Sequence, residues 1–177
     1  SEDIMTLSST RVAQVAGPRV AKRTPEGWLD KPYRRFTLAP LAPTIGAEIS
    51  GISLTEPLDP DLRDDLNRAL LEWKVLFFRG QHLTAAEQSD FARHWGDLET
   101  HPFATTESFL RPDDAPEVVR LEKGDKASGY ENVWHSDVTW RVNPSLGSVL
   151  QAIEVPDVGG DTLWADMAAA YDGLSAE

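Results

Sequence analysis

The sequence predicts a mostly β domain with flanking helices, an antiparallel sandwich or jelly roll in preference to a parallel α/β sheet. Short apolar runs bounded by Pro and Gly, Ser148–Val155 and Thr162–Ala165, fill the second half. Capped amphipathic helices punctuate the first half and return only at the end. At 177 residues and 41% apolar content, the chain has enough material for one domain with a real core.

Residues 1–32 mix Ser, Thr, Arg, Lys, Gly and Pro without periodicity and read as a loosely ordered N-terminal extension. Trp28 in that extension points to docking, or to packing against another subunit in a homo-oligomer. The domain proper spans 33–177. "RRFTLAPL" and "IGAEISGISL" predict two short strands, the second alternating Ile45, Ala47 and Ile49 with Gly46, Glu48 and Ser50. Asp59 as cap and Pro60 at the first helical position open a helix whose Leu62, Leu66, Leu70 and Trp73 share a face. "VLFFR" predicts a buried strand. Thr84 and Glu87 form a capping-box pattern, with Phe91 and Trp95 continuing the apolar stripe to Gly96. "PEVVRLE" predicts another strand and the polar Glu122–Asn132 a loop. Strands are then expected at Val133–Thr139, Ser148–Val155 and Thr162–Ala165, and a last helix opening at Asp166.

Composition narrows the function. The formal charge of −12 repels nucleic-acid phosphates and anionic membranes, so neither is an expected partner. No apolar run is long enough to span a bilayer, and the N-terminus lacks a signal-peptide pattern. Absence of cysteine excludes disulfides and thiolate metal sites and agrees with a cytoplasmic setting.

"NVWHSDVTW" (Asn132–Trp140) carries the chemistry. In an extended strand, residues two apart share a face, so His135 and Asp137 would converge while Trp134 and Trp140 pack behind them. One imidazole and one carboxylate make two thirds of the facial triad of non-haem Fe(II) oxygenases. By itself, His-x-Asp fits ordinary polar strand residues better. A hydrolytic zinc site is a weaker alternative, because such sites need three protein ligands.

"WHSDVTW" followed by "PSLGSVLQAIEVPDVGGDTLWADMAAAYDGLS" resembles the taurine dioxygenase (TauD/TfdA) family of Fe(II)- and 2-oxoglutarate-dependent oxygenases. The resemblance extends back through "PTIGAEISGISL" and "LLEWKVLFFRGQHLTAAEQSDFARHWGDLETHPF", from about Phe36 to the last residue. It implies a double-stranded β-helix (jelly roll, cupin-like), incomplete in this chain. It also implies Fe(II), 2-oxoglutarate and O2, and a small anionic substrate hydroxylated at a C–H. His135 and Asp137 match the first two iron ligands, and Thr162 the residue bonding a 2-oxoglutarate carboxylate. His101 matches the histidine that holds the anionic head of sulfonate or sulfate-ester substrates. Gly159 and Gly160 are expected to serve the turn before Thr162. His94 is expected to be structural and His82 exposed.

The pattern also departs from the family. A pocket Tyr falls on Ala104, and a pocket Asn on Glu131 with Asn132 adjacent, which puts taurine itself in doubt. No histidine follows His135 and no basic residue follows Arg141, so the family's second iron histidine and its 2-oxoglutarate arginine are absent from these residues. The 177 residues are therefore expected to be part of a longer protein or a truncated product, inactive alone. A jelly-roll binding module that has lost the triad is the competing reading.

Overall fold

In the computed structural model, residues 32–100, 115–121 and 133–174 are described. The expected loop Glu122–Asn132 and the extension to Lys31 lie outside them.

Three strands make one mixed sheet in the order β1 (Thr37–Pro40), β2 (Ala47–Ser50), β3 (Leu76–Phe78). β1 pairs antiparallel with β2, Leu38 opposite Ile49. β2 pairs parallel with β3, Ile49 opposite Phe78. A parallel pair needs a crossover, and α1 (Pro60–Trp73) supplies it. The sheet is thus a small βαβ unit with one antiparallel edge.

α1 begins where the sequence says. Pro60 occupies the first turn and the Asp59 side chain accepts the Leu62 amide at 2.9 Å. Its inner face buries Leu66, Ala69, Glu72 and Trp73, Leu66 and Trp73 being the largest fully buried side chains among the described residues. Each full burial of this kind contributes about 1.5–3 kcal/mol. Phe36, Ile49, Leu54, Leu58, Leu66, Ala69 and Phe91 form the core cluster, with Phe78 edge-on to Phe91. Buried Glu72 accepts from the Tyr33 hydroxyl at 2.8 Å. Burial and this carboxylate push the Tyr33 phenol well above its usual range.

The helix ends unusually. Lys74 closes α1 in the left-handed region (φ 63°), its amide donating to the Leu70 carbonyl at 2.7 Å. Glycine is the favoured residue there, and a side chain costs about 1 kcal/mol by comparison.

α2 (Ala85–Ala92) carries the full capping box: Glu87 N–H to Thr84 Oγ1 at 3.2 Å and Thr84 N–H to Glu87 Oε2 at 2.7 Å. One 3₁₀ turn (Arg93–Trp95) prolongs it. His94 there is half-buried against Trp95, and His82 is exposed. Thr84→Ala should cost about 1 kcal/mol, read as a lower urea midpoint at unchanged m-value. α3 (Met167–Asp172) is capped by Asp166, as expected.

Three carboxyls sit below their ordinary range. The Leu62 amide and then Arg35 hold Asp59 down, and the Thr84 amide and hydroxyl hold Glu87 down. Burial raises Asp166, but the Ala169 amide, Lys74 and Thr44 together outweigh it. A lowered folded-state value adds stability that is complete above the unfolded value and lost as pH falls through the folded one. Helix content followed by circular dichroism should therefore hold to about pH 4 and decline below it.

The second half differs from expectation. Val133–Thr139, Ser148–Val155 and Thr162–Ala165 pair in no sheet, and "PEVVRLE" reduces to a single bridge at Arg120. A strand is stabilised by hydrogen bonds to a neighbouring backbone, and among the described residues none lies alongside these segments. Most of their apolar side chains are exposed accordingly, among them Val133, Leu150, Ile153, Val155 and Leu163, while Val138 is buried and Val149 packs against the core cluster.

Candidate metal centre

His135 and Asp137 meet, though not on a strand. Residues 137–140 form a turn, closed by Arg141 N–H to the Val138 carbonyl at 3.1 Å. His135 Nε2 lies 3.3 Å from Asp137 Oδ1. His135 Nδ1 is 3.0 Å from the Val133 carbonyl. That oxygen can only accept, so Nδ1 carries the proton there and Nε2 turns its other face to the carboxylate.

This donor pair fits a divalent metal. Bonds of about 2.1 Å to each atom would subtend roughly 100° across the observed separation, near the right angle of neighbouring octahedral positions. Both side chains remain more than half exposed, at 55% and 72%, so the outer side is open to further ligands. Among the described residues no group of three metal-binding side chains is present. The site thus holds two protein donors, one nitrogen and one oxygen.

Val138 pins the turn. It is the one buried residue between Val133 and Leu174, at 8% exposure, and it adopts φ 46°. Left-handed backbone at a β-branched residue costs on the order of 1–3 kcal/mol and persists only where the surroundings impose it. Trp134 and Trp140, expected behind the ligands, are instead 70% and 66% exposed. The reason is geometric: a turn does not alternate faces as a strand does.

Polar stitches join this half to the end of α1, to α2 and to the chain on either side of α2. Arg141 pairs with Glu99, whose second oxygen accepts from the Ser145 hydroxyl at 2.9 Å. Gln88 donates to the Val149 carbonyl at 2.8 Å and Gln151 to the Leu83 carbonyl at 3.1 Å. Lys74 Nζ reaches Asp166 Oδ2 at 3.1 Å. Sequence reasoning missed Glu99, Lys74 and Asp166 as partners, since nothing local signals a contact across dozens of residues. Glu99→Ala should free the Arg141–Ser145 stretch and speed its amide exchange at least about tenfold, read by mass spectrometry.

Thr162 is exposed, four residues before the Asp166 anchor. Gly159 and Gly160 both take positive φ (81° and 73°), as a tight turn requires, and a Cβ on Gly160 would meet Pro156 Cγ at 3.1 Å. His101 and Asn132 lie outside the described residues.

Residues 37–177 match the taurine catabolism dioxygenase TauD, TfdA family. An alkylsulfatase of Acinetobacter baylyi is 39% identical over 150 residues, covering 83% of this chain and 44% of that protein. An (S)-phenoxypropionate/alpha-ketoglutarate-dioxygenase of Sphingobium herbicidovorans is 39% identical over 149 residues, covering 80% and 49%. A crystal structure of a taurine dioxygenase from Burkholderia xenovorans superposes with a TM-score of 0.68 at 37% identity, covering 81% of this chain and 49% of that one. The chain therefore spans about half the length of the relatives it matches. With its motif order, its two-donor turn and a family match over most of its length, this chain belongs to the TauD/TfdA dioxygenase family.

Proposed function

We propose that this chain is the ligand-bearing N-terminal portion of an Fe(II)- and 2-oxoglutarate-dependent dioxygenase. Its substrate is a small anionic molecule, a sulfonate, alkyl sulfate or carboxylate, hydroxylated at a C–H. The observation that carries this reading is the 3.3 Å approach of His135 Nε2 to Asp137 Oδ1 in a strained, anchored turn. Relatives acting on sulfate esters and phenoxypropionate support the substrate class.

In this reading the exposed apolar segments after Val133 are strands of a jelly roll whose other strands lie in the half that the relatives possess and these residues do not. That half also supplies the third ligand and a cation for the cosubstrate. Homo-oligomerisation through the Trp28-bearing extension, and a cytoplasmic setting, complete the proposal. Among the described residues no helix is long and apolar enough to cross a membrane.

The chain's own groups have definite tasks. His135 and Asp137 hold the metal, the Val133 carbonyl fixes the imidazole tautomer, and Val138 keeps the two donors together. Thr162 donates its hydroxyl to a carboxylate of 2-oxoglutarate. His101, through a ring N–H, and Asn132 face the anionic head of the substrate. Fe(II) with 2-oxoglutarate and O2 supplies the oxidation, one oxygen atom entering the substrate C–H and the other leaving in succinate as CO2 is lost. Hydroxylation beside a sulfate ester oxygen leaves a product that collapses to an aldehyde and sulfate.

Joining residues 33–177 to the C-terminal half of the Pseudomonas putida sulfate ester dioxygenase tests this, since that enzyme is 39% identical over 137 residues. The chimera should release succinate from 2-oxoglutarate in the presence of Fe(II) and an alkyl sulfate, sulfonate or carboxylate, and the 177-residue chain alone should not. A folded chimera that binds such an anion without turnover would favour the non-catalytic module.

A further inference from the structure

Lys74 does two jobs in one residue. Its backbone ends α1 in a conformation that glycine would adopt with less strain. Its side chain explains why lysine stands there. Nζ donates to the Thr44 carbonyl at 2.7 Å and to Asp166 Oδ2 at 3.1 Å, across 92 residues. Asp166 is equally committed: Oδ1 accepts the Ala169 amide at 2.9 Å, the Thr44 hydroxyl adds a further bond, and the side chain is only 8% exposed.

The neighbourhood gives this contact its importance. From Ala152 to Ala165 every residue is exposed, so after Gln151 the next fixed point along the chain is Asp166. Thr162 sits inside that uncovered stretch. Without the contact to Lys74, its hydroxyl would be placed by the Gly159–Gly160 turn and the single Thr44 hydroxyl bond to Asp166, and two consecutive left-handed glycines restrain little.

We propose that Lys74 and Asp166 form a positioning pair that fixes the segment bearing Thr162, and that the lysine is kept in a left-handed cap for this purpose. The inference deepens the cosubstrate role assigned to Thr162 and rests on that reading for its functional meaning.

Lys74→Gly separates the two jobs, because it relieves the backbone while deleting the ammonium. In the 177-residue chain, thermal unfolding should occur at the same or a higher temperature, while the hydrogen-bonded amides within 158–170, those of Ala169 and Ala170, exchange at least about tenfold faster by mass spectrometry. Asp166→Asn, which keeps a capping oxygen but loses the charge, should accelerate the same peptides. The double variant should be no worse than the faster single one, and Lys74→Arg should restore part of the protection. Unchanged exchange at 158–170 in Lys74→Gly, or loss spread evenly over the whole chain with a lower unfolding temperature, overturns the pair.

These readouts need no cosubstrate, so they stand apart from the oxygenase reading. In the chimera, Lys74→Gly should raise the KM for 2-oxoglutarate about tenfold with kcat little changed. A wild-type chimera whose 158–170 amides gain no protection from 2-oxoglutarate would strike Thr162's role and leave the pair intact.

Discussion

Alanine in place of Asp137 is expected to abolish iron-dependent turnover in the complemented enzyme, by well over 100-fold. Losing a group that merely orients a ligand costs about 10- to 100-fold, and a ligand's own removal costs more. The site offers no substitute, since no third metal-binding side chain stands beside these two among the described residues. His135→Ala should be equally severe. The control lies in the exposure of the pair: with 72% of the Asp137 side chain in solvent and no core contact at stake, unfolding temperature and helix content should stay at wild-type values. Succinate release measured against Fe(II) concentration reads the first effect and circular dichroism the second. An Asp137→Ala enzyme that kept a tenth of its turnover would remove this carboxylate from the iron shell.

Trp73→Ala should produce the largest stability loss. The indole is 1% exposed at the end of α1, and truncation of a buried Trp costs about 3–5 kcal/mol. A domain with net stability of about 5–15 kcal/mol cannot absorb that without a large shift in its urea midpoint. The backbone role of the residue survives, because Gly46 N–H and Val75 N–H bond its carbonyl, at 2.8 Å and 2.7 Å, whatever the side chain. Any loss therefore measures packing. Leu71→Ala on the solvent face of the same helix, by contrast, should fall within about 0.5 kcal/mol of wild type.

What could be read from the residues alone was what is decided locally. Asp59 with Pro60, Thr84 with Glu87, and Asp166 each announce a helix start, and all three caps form. The β1, β2 and β3 runs declare themselves by alternation or apolar content. The partnership of His135 with Asp137 was legible too, yet for a different geometrical reason: a strained turn at Val138 brings them together where a strand was expected. Strands after Val133 were not realised because their stability is a property of neighbours, and an apolar run such as Ser148–Val155 carries no information on whether a neighbour is present. Trp134 and Trp140 went outward because a turn, unlike a strand, does not alternate its faces. Lys74 was invisible as a left-handed cap, since the sequence offers no glycine at that point and its compensation lies at Asp166.

The stitches that hold the half after Val133 also set a sequence of events. Lys74 to Asp166 closes a loop of 92 residues and Glu99 to Ser145 one of 46, whereas the β2–α1–β3 unit closes through a single helix. Loop-closure entropy and contact order make the shorter circuit the earlier one to form. A ribosome would thus release a finished docking platform, ammonium and carboxylate receptors included, before the turn carrying His135 and Asp137 had emerged to find it.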